Sequence, residues 1–519
     1  MKNQFSQEVS AFRGRRMPER GCLVGYALLL QVIEDQTSKR LPLPAYLSMS
    51  TTKHRRYTRD NWHVFTIRHQ PGDDLKSHIV FSLKYEGIDL QILKETFKLI
   101  GPKSLTQMIM DEPTGQYSRR IWFLYEWMFI KPLDIPDLMR GTYVDIVDDN
   151  QQYCVTGKNS TRHRVRNNLP GTAEFCPLIR KTKKLESLIE GKLDDEIRKG
   201  LRSVHNDLLR RTAAFLLLKD SKASFHIEGE KPSPLRARNW GAIIGSAGKH
   251  QLTIEEIERL QQIVIGKDKL RHMGIRHNHE GFIGEHDSED FTPIPEHISA
   301  KSKDLPDLMK GLFETNEILQ KSEYHPILTA ATIAFGFVYI HPLADGNGRI
   351  HRYIIHHILA KQGFADRNII FPISASILDH LATYQDVLEH HSSPRLELID
   401  WESTDDYNTR ILNDTKDLYR YYDNTLEAEF LFDCVQYTID RVIPSELDYL
   451  MKYDELTDQI NNLVTMENTR VDLMIKFIHQ NDGRLSKTKR EKYFGFIEDD
   501  QIRRIETQYQ AIFKPGSEE

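Results

Sequence analysis

The twelve residues from His341 to Arg352 read HPLADGNGRIHR, and this short span holds the residue types needed for chemistry on a polyphosphate. His341 can take up a proton. Asp345 can hold a Mg2+ ion. Gly346 and Gly348 lack side chains, so backbone N–H groups there can come close to a ligand. A helix starting at this point adds partial positive charge and free donors, which together make an anion site. Arg349 and Arg352 are three apart, on one helix face, where both can grip phosphate oxygens. Asn-Gly is also the commonest short hairpin turn, but no alternating strand pattern flanks it here.

Two elements must position these residues. Before them runs a nearly all-apolar segment, Ile327 to Ile340, long enough for about four helical turns. After them a second helical pattern runs from Ile350 to Gln362 and stops at Gly363. The expectation is a buried helix, a tight polar loop and the start of a second helix.

The stretch resembles the signature of the Fic family, HPFx(D/E)GNGRxxR, with Leu343 as a conservative exchange for an inward-packing Phe. The resemblance implies an all-helical core that transfers AMP from ATP to a hydroxyl on a target protein. It implies His341 as the base and Asp345 as the Mg2+ ligand. Gly346, Asn347 and Gly348 would surround the phosphates, with Arg349 and Arg352 on the outer ones. Upstream, Ser224-Phe225-His226-Ile227-Glu228-Gly229 resembles the family's inhibitory motif, (S/T)xxxE(G/N), in a helix near 210–229. Ser224 and Glu228 share a helix face, and Gly229 suits the helix stop. The resemblance implies that Glu228 pairs with Arg352 and holds the enzyme inactive.

Gly281, Phe282, Ile283 and Gly284 sit where the family carries its flap, a β-hairpin that holds the target segment by strand-like pairing. Pro293-Ile294-Pro295 and Leu305–Met309 resemble the segment between flap and central helices. The histidines His272, His277, His279 and His286 fit no zinc spacing and read as exposed flap residues. The resemblance spans about 200–395. It leaves open, within the same class, transfer of another nucleotidyl or phosphoryl group, or removal of AMP with Glu228 positioning water. A different class also stays open: a nucleotide-sensing regulatory protein whose flanking regions bind DNA or a partner.

The 519 residues allow roughly two to four domains. A net charge of -5 carries no global basic signature for nucleic acid or membrane. Four well-separated cysteines indicate neither zinc nor a disulfide framework. No apolar leader and no apolar run long enough to span a bilayer occur, so the expected compartment is the cytoplasm, without membrane partners. The expected architecture is mainly α: a Fic domain over 195–395, an α+β unit of unassigned role over 1–175, and a helical unit over 396–519.

Within the first unit, Tyr26 to Ile33 reads as a buried helix. Trp62 to His69 and His78 to Tyr85 read as paired strands, and Arg119 to Ile130 as an aromatic-rich core helix. The cluster Arg162, His163, Arg164 and Arg166 reads as a solvated loop or ion-paired face in preference to a phosphate or nucleic-acid contact, and Lys181 to Lys184 as a charged linker. Thr253 to Glu256 is a capping box. The pairs His356-His357 and His390-His391 read as surface or core histidines, not ligands. Leu485 to Arg490 followed by Ile497 to Phe513 reads as a packing or docking tail in preference to a DNA-binding helix-turn-helix. The implied partners are ATP and a protein presenting a Ser, Thr or Tyr hydroxyl; self-association stays open.

Overall fold

Every residue from Ile327 to Ile340 is buried, which an all-round apolar helix requires. This central helix, Pro326–Ile340, is the axis of the computed structural model, which describes residue 5 and residues 7–191, 193, 206–266, 273–277, 280–364 and 371–513. Pro326 occupies its first turn, and the His325 side chain accepts from Ile327 N–H at 3.2 Å, so two of the free N-terminal donors are dealt with locally. The motif helix Asn347–Lys361 and the helices Leu305–Lys321 and Thr425–Tyr437 pack around it. The fold is mainly helical.

The N-terminal region is α+β, as expected. Strands β1 (Glu8–Phe12), β2 (Arg15–Val24), β3 (Leu47–Thr51), β4 (Tyr57–Arg59) and β5 (Trp62–Thr66) form one sheet in the order β1-β2-β3-β5-β4. Only β3 and β5 run parallel. The expected helix at Tyr26 is present as Tyr26–Thr37, and Gln116–Phe129 is the aromatic-rich helix, with Trp122 and Tyr125 buried.

The strand pair expected at 62–85 is only half present. His78 to Tyr85 lies in a helix, Leu75–Tyr85. The Asp74 carboxylate caps it by accepting from Ser77 N–H at 2.9 Å, a start signal that outweighs the alternation of Ile79, Phe81 and Leu83. His78, Ile79, Phe81, Ser82 and Leu83 are all buried, so an alternating pattern does not distinguish the faces of this element.

Lys181 to Lys184 is not a linker either. Thr182 caps the helix Lys183–Glu190, whose Leu185 is fully buried in the central core. The basic cluster is an ion-paired face: Arg162 and His163 both meet Glu126, and Arg166 meets Asp145.

The buried clusters divide the chain later than 395. The helix Leu381–Leu396 runs through Pro394, and Ile411, Leu418, Leu431 and Val435 belong to the same core as the central helix. That core continues to Ile443, and a separate small helical core spans Leu456 to Ile512. No described helix is long and apolar enough to cross a membrane.

Candidate active site around the 341–352 loop

His341 ends the central helix in the left-handed region, at φ 53° and ψ 58°, an uncommon conformation for a residue with a side chain. Its backbone N–H still bonds Phe337 O at 3.0 Å, while its Nδ1 lies 3.1 Å from Val338 O. A carbonyl only accepts, so Nδ1 carries the proton and Nε2 keeps its lone pair. Burial, with His297 and Arg276 nearby, pushes the imidazole down to about 3. At neutral pH the ring is uncharged, the state a base requires.

Arg276 and His297 hold the backbone around this histidine. Arg276 donates from Nε to His341 O at 3.0 Å and from Nη2 to Ala300 O at 3.0 Å. Its own N–H bonds Pro342 O at 2.9 Å. His297 touches Tyr339 O at 2.9 Å and Ser392 Oγ at 2.9 Å. Nothing in the linear pattern marks Arg276 or His297 as neighbours of His341, because both act on backbone atoms distant in sequence.

The loop after His341 is held by its own asparagine. Asn347 Oδ1 accepts from Leu343 N–H at 3.0 Å, and its Nδ2 donates to Leu343 O at 2.7 Å. Both ends of that side chain therefore bind the loop, and the side chain is buried. Leu343 is fully buried too, as its packing role required. Gly346 caps the motif helix at φ 93°, a left-handed position that favours glycine. A Cβ there would also press on Val264 at 3.2 Å. The buried Gln261 ties this corner together, donating to Asp345 O at 3.0 Å and accepting from Gly274 N–H at 2.7 Å.

The arginines are almost completely buried, and each holds a glutamate. Arg352 is 1% exposed and reaches Glu228 Oε1 at 2.8 Å, Ser224 O at 2.7 Å and Ser224 Oγ at 3.2 Å. Arg349 is 2% exposed and reaches Glu230 Oε1 at 2.7 Å and Asp345 Oδ1 at 3.0 Å. Both glutamates follow the helix Asn206–Ile227. The turn that closes it passes through Gly229, φ 71°, with Glu230 N–H on Phe225 O and Gly229 N–H on His226 O. This is the glycine-terminated stop that the motif suggested. Gly348 lets the helix end approach, since a Cβ at 348 would collide with Glu228 Oε1.

The flap is a hairpin of Phe282–His286 and Pro293–Ile298. Pro293-Ile294-Pro295 is thus its return strand, not a segment beyond it. Prolines two apart aim their missing donors the same way, which an edge strand tolerates. Gly284, at φ 146°, is crossed so closely by Ile294 O that a Cβ would collide. Gly281 is tied to Ser299 by its N–H at 2.7 Å, and Ile283 is exposed. His286 lies against Tyr407 O at 2.8 Å. His272 and His279 lie outside the described residues. His356 packs on Asp220 at 2.8 Å, and His391 stacks on Tyr339, both as packing residues.

The helical core places His341 at the end of one helix and Arg349 and Arg352 in the first turns of the next. Residues 251–359 match the Fic/DOC family, and the chain carries a Fic domain. It is similar to protein adenylyltransferase Fic of Nematostella vectensis, 32% identical over 113 residues, 22% of this chain and 24% of that protein. It is also similar to protein adenylyltransferase fic-1 of Caenorhabditis briggsae, 26% identical over 125 residues, 24% of this chain and 22% of that protein. The match thus spans about a quarter of the length of these curated relatives. A Fic family protein from Desulfovibrio desulfuricans superposes with a TM-score of 0.37 at 15% identity, covering 66% of this chain and 97% of that one.

Proposed function

We propose that this protein is a Fic-type protein adenylyltransferase, held in check by Glu228. The carrying observation is one arrangement: a neutral His341 with Nε2 free to accept, beside a glycine loop whose two buried arginines grip carboxylates. Buried guanidiniums that hold carboxylates can also hold phosphates, which match them in charge and bidentate geometry.

In the proposed reaction a target hydroxyl gives its proton to His341 Nε2. Its oxygen bonds to the α-phosphorus of ATP, the bond to the β-phosphate oxygen breaks, and pyrophosphate leaves. Arg276 and His297 keep the base in line. The N-terminus of the motif helix and its arginines balance the phosphate charge. Asp345 is the loop's only carboxylate, and among the described residues no group of three or more His, Cys, Asp or Glu could form a metal cage. That donor set suits Mg2+, which takes one or two carboxylates together with substrate phosphates. Bound there, the ion would neutralise phosphate charge.

Inhibition follows from occupancy. While Glu228 holds Arg352, that arginine cannot clamp an outer phosphate, and the α-phosphate is misaligned for attack. The flap's strand edges suit an extended target segment.

The test is incubation with α-labelled ATP, followed by gel analysis of the protein and its lysate targets. The expected outcome is covalent label on protein, reduced about 10²–10⁴-fold by His341→Ala, the range of general-base catalysis. Equal labelling by the mutant would remove His341 from the chemistry, and no label from any variant would remove the transferase.

A further inference from the structure

Glu230 does more than follow the inhibitory motif. Its Oε1 takes Arg349 Nη1 at 2.7 Å, and its Oε2 takes Arg236 Nη1 at 2.6 Å. One carboxylate thus bridges two guanidiniums that come from different helices, the motif helix and Pro234–Ile244. Each arginine is also held by something other than Glu230. Arg236 donates to Val264 O at 2.9 Å through Nη2 and 3.3 Å through Nε. Arg349 keeps Asp345 at 3.0 Å. Both guanidiniums lie over the ring of Phe225, with Arg236 4.7 Å and Arg349 5.5 Å from its centroid.

The pair would therefore stay in place if the carboxylate left. Buried Arg349 Nε has no acceptor among the described residues. A cation pair of this kind, next to the start of the motif helix, is a preformed seat for one more anionic group.

From this geometry we infer that Arg236 and Arg349 form a second phosphate subsite, and that Glu230 plugs it as Glu228 plugs Arg352. This rests on reading 341–352 as a polyphosphate site and extends it by naming Arg236, which lies outside the 341–352 signature. Its ligand is a chain of linked phosphates, such as the outer phosphates of a nucleoside triphosphate or inorganic tripolyphosphate. A bridging carboxylate supplies two oxygens across two arginines, the arrangement a terminal phosphate supplies with its own oxygens. Both plugs sit within three residues of one helix end, Glu228 to Glu230, so one displacement of that end frees three arginines together.

Calorimetric titration of the full chain with inorganic tripolyphosphate tests the subsite without any transfer step. Glu230→Gln, added to Glu228→Gly, is expected to tighten binding about tenfold, the scale of one charge-assisted contact. Arg236→Ala in that double variant is expected to loosen it by about the same factor, and Arg236→Lys to restore part of the loss. Thermal melts check that each variant is folded, and the lysine variant carries the test if the alanine variant is not. If Glu230→Gln adds nothing to Glu228→Gly, the plug is wrong. If Arg236→Ala and Arg236→Lys both bind as tightly as the parent, Arg236 is only a surface partner of Glu230. Tripolyphosphate bound as expected with no protein labelling would keep the subsite and reject the transferase. Labelling that ignores Arg236 and Glu230 would do the reverse.

Discussion

Two arginine clusters in this molecule use the same ion pairs to opposite ends. Where the N-terminal unit meets the helical core, Arg420 is 8% exposed and pairs with Asp417 at 2.7 Å and Glu174 at 2.9 Å. Buried Lys94 meets the same Asp417 at 2.8 Å. Its acids belong to different segments, Glu174 and Asp417, and Arg420 also donates to Ala173 O at 3.0 Å. No single movement releases that cluster. At the loop, Arg349 and Arg352 are buried more deeply still, yet their acids Glu230 and Glu228 are 31% and 32% exposed and share one helix end. On the proposed reading the arginines stay in place and the two acids leave together. A buried cation with a half-exposed partner on a terminal turn is arranged for exchange, whereas one enclosed by several segments is arranged for cohesion.

The comparison breaks first at Asp417. Asp417→Asn is expected to cost about 3 kcal/mol of stability, because it strips buried Lys94 of its partner. Protein labelling should not rise. Denaturant unfolding measures the first quantity, and a variant as stable as wild type would mean that the cluster is not cohesive. The carboxylate is held down to about 2 by Arg420 and Lys94 against the cost of burial.

Glu228→Gly should show the opposite profile. Labelling from ATP is expected to rise by roughly 100-fold, the scale of realigning a misplaced reacting group, with little change in melting temperature. Arg352→Ala on top should cancel the gain, since the freed clamp is then missing. A rate equal to wild type would make Glu228 an ordinary helix-end residue.

A smaller effect is expected at Asp345. In the activated background, Asp345→Ala should lower labelling about tenfold, on the scale of a weakened metal site. Excess Mg2+ should restore part of it. The readout is the Mg2+ concentration at half-maximal rate, and an unshifted value would take the metal away from Asp345.

The smallest effect sharpens what burial does to uncharged groups. His351 and His357 are buried, and burial pushes them down to about 3 and 4. The unfolded chain takes protons near 6.5 while these native groups do not, so stability is lost as pH falls below 6.5. Each group should contribute about 1 kcal/mol of loss at pH 5.5. Melting curves from pH 7 to 5.5 check the sign, and a constant melting temperature would contradict it.

Much of the site was legible in order along the chain, because its parts are local. Pro326–Ile340, the glycine at 346 and Arg349 with Arg352 are set by short-range spacing, and periodicity reads such spacing directly. The Thr253 cap and the Gly229 stop are local too. Misreadings fell where burial is not one-sided. At Leu75–Tyr85, apolar residues occupy several faces, so period-two alternation arose within a helix. At 396–443, the segment past Pro394 packs back on the central helix, and nothing local announces that return.

By itself the sequence determined that a histidine, a carboxylate, a glycine loop and two arginines stand together between two helices. It also determined that a glutamate ends a helix upstream. Only the tertiary structure decided what those groups do to one another. It assigned the proton of His341 to Nδ1 through Val338 O, turned Asn347 inward onto Leu343, and brought Arg276 onto the backbone of His341. It also set Glu230 between Arg349 and Arg236, residues 119 apart and 6 apart from it in the chain. Hydrogen bonds and ion pairs act over about 3 Å, and which groups come that close follows from packing across the whole core.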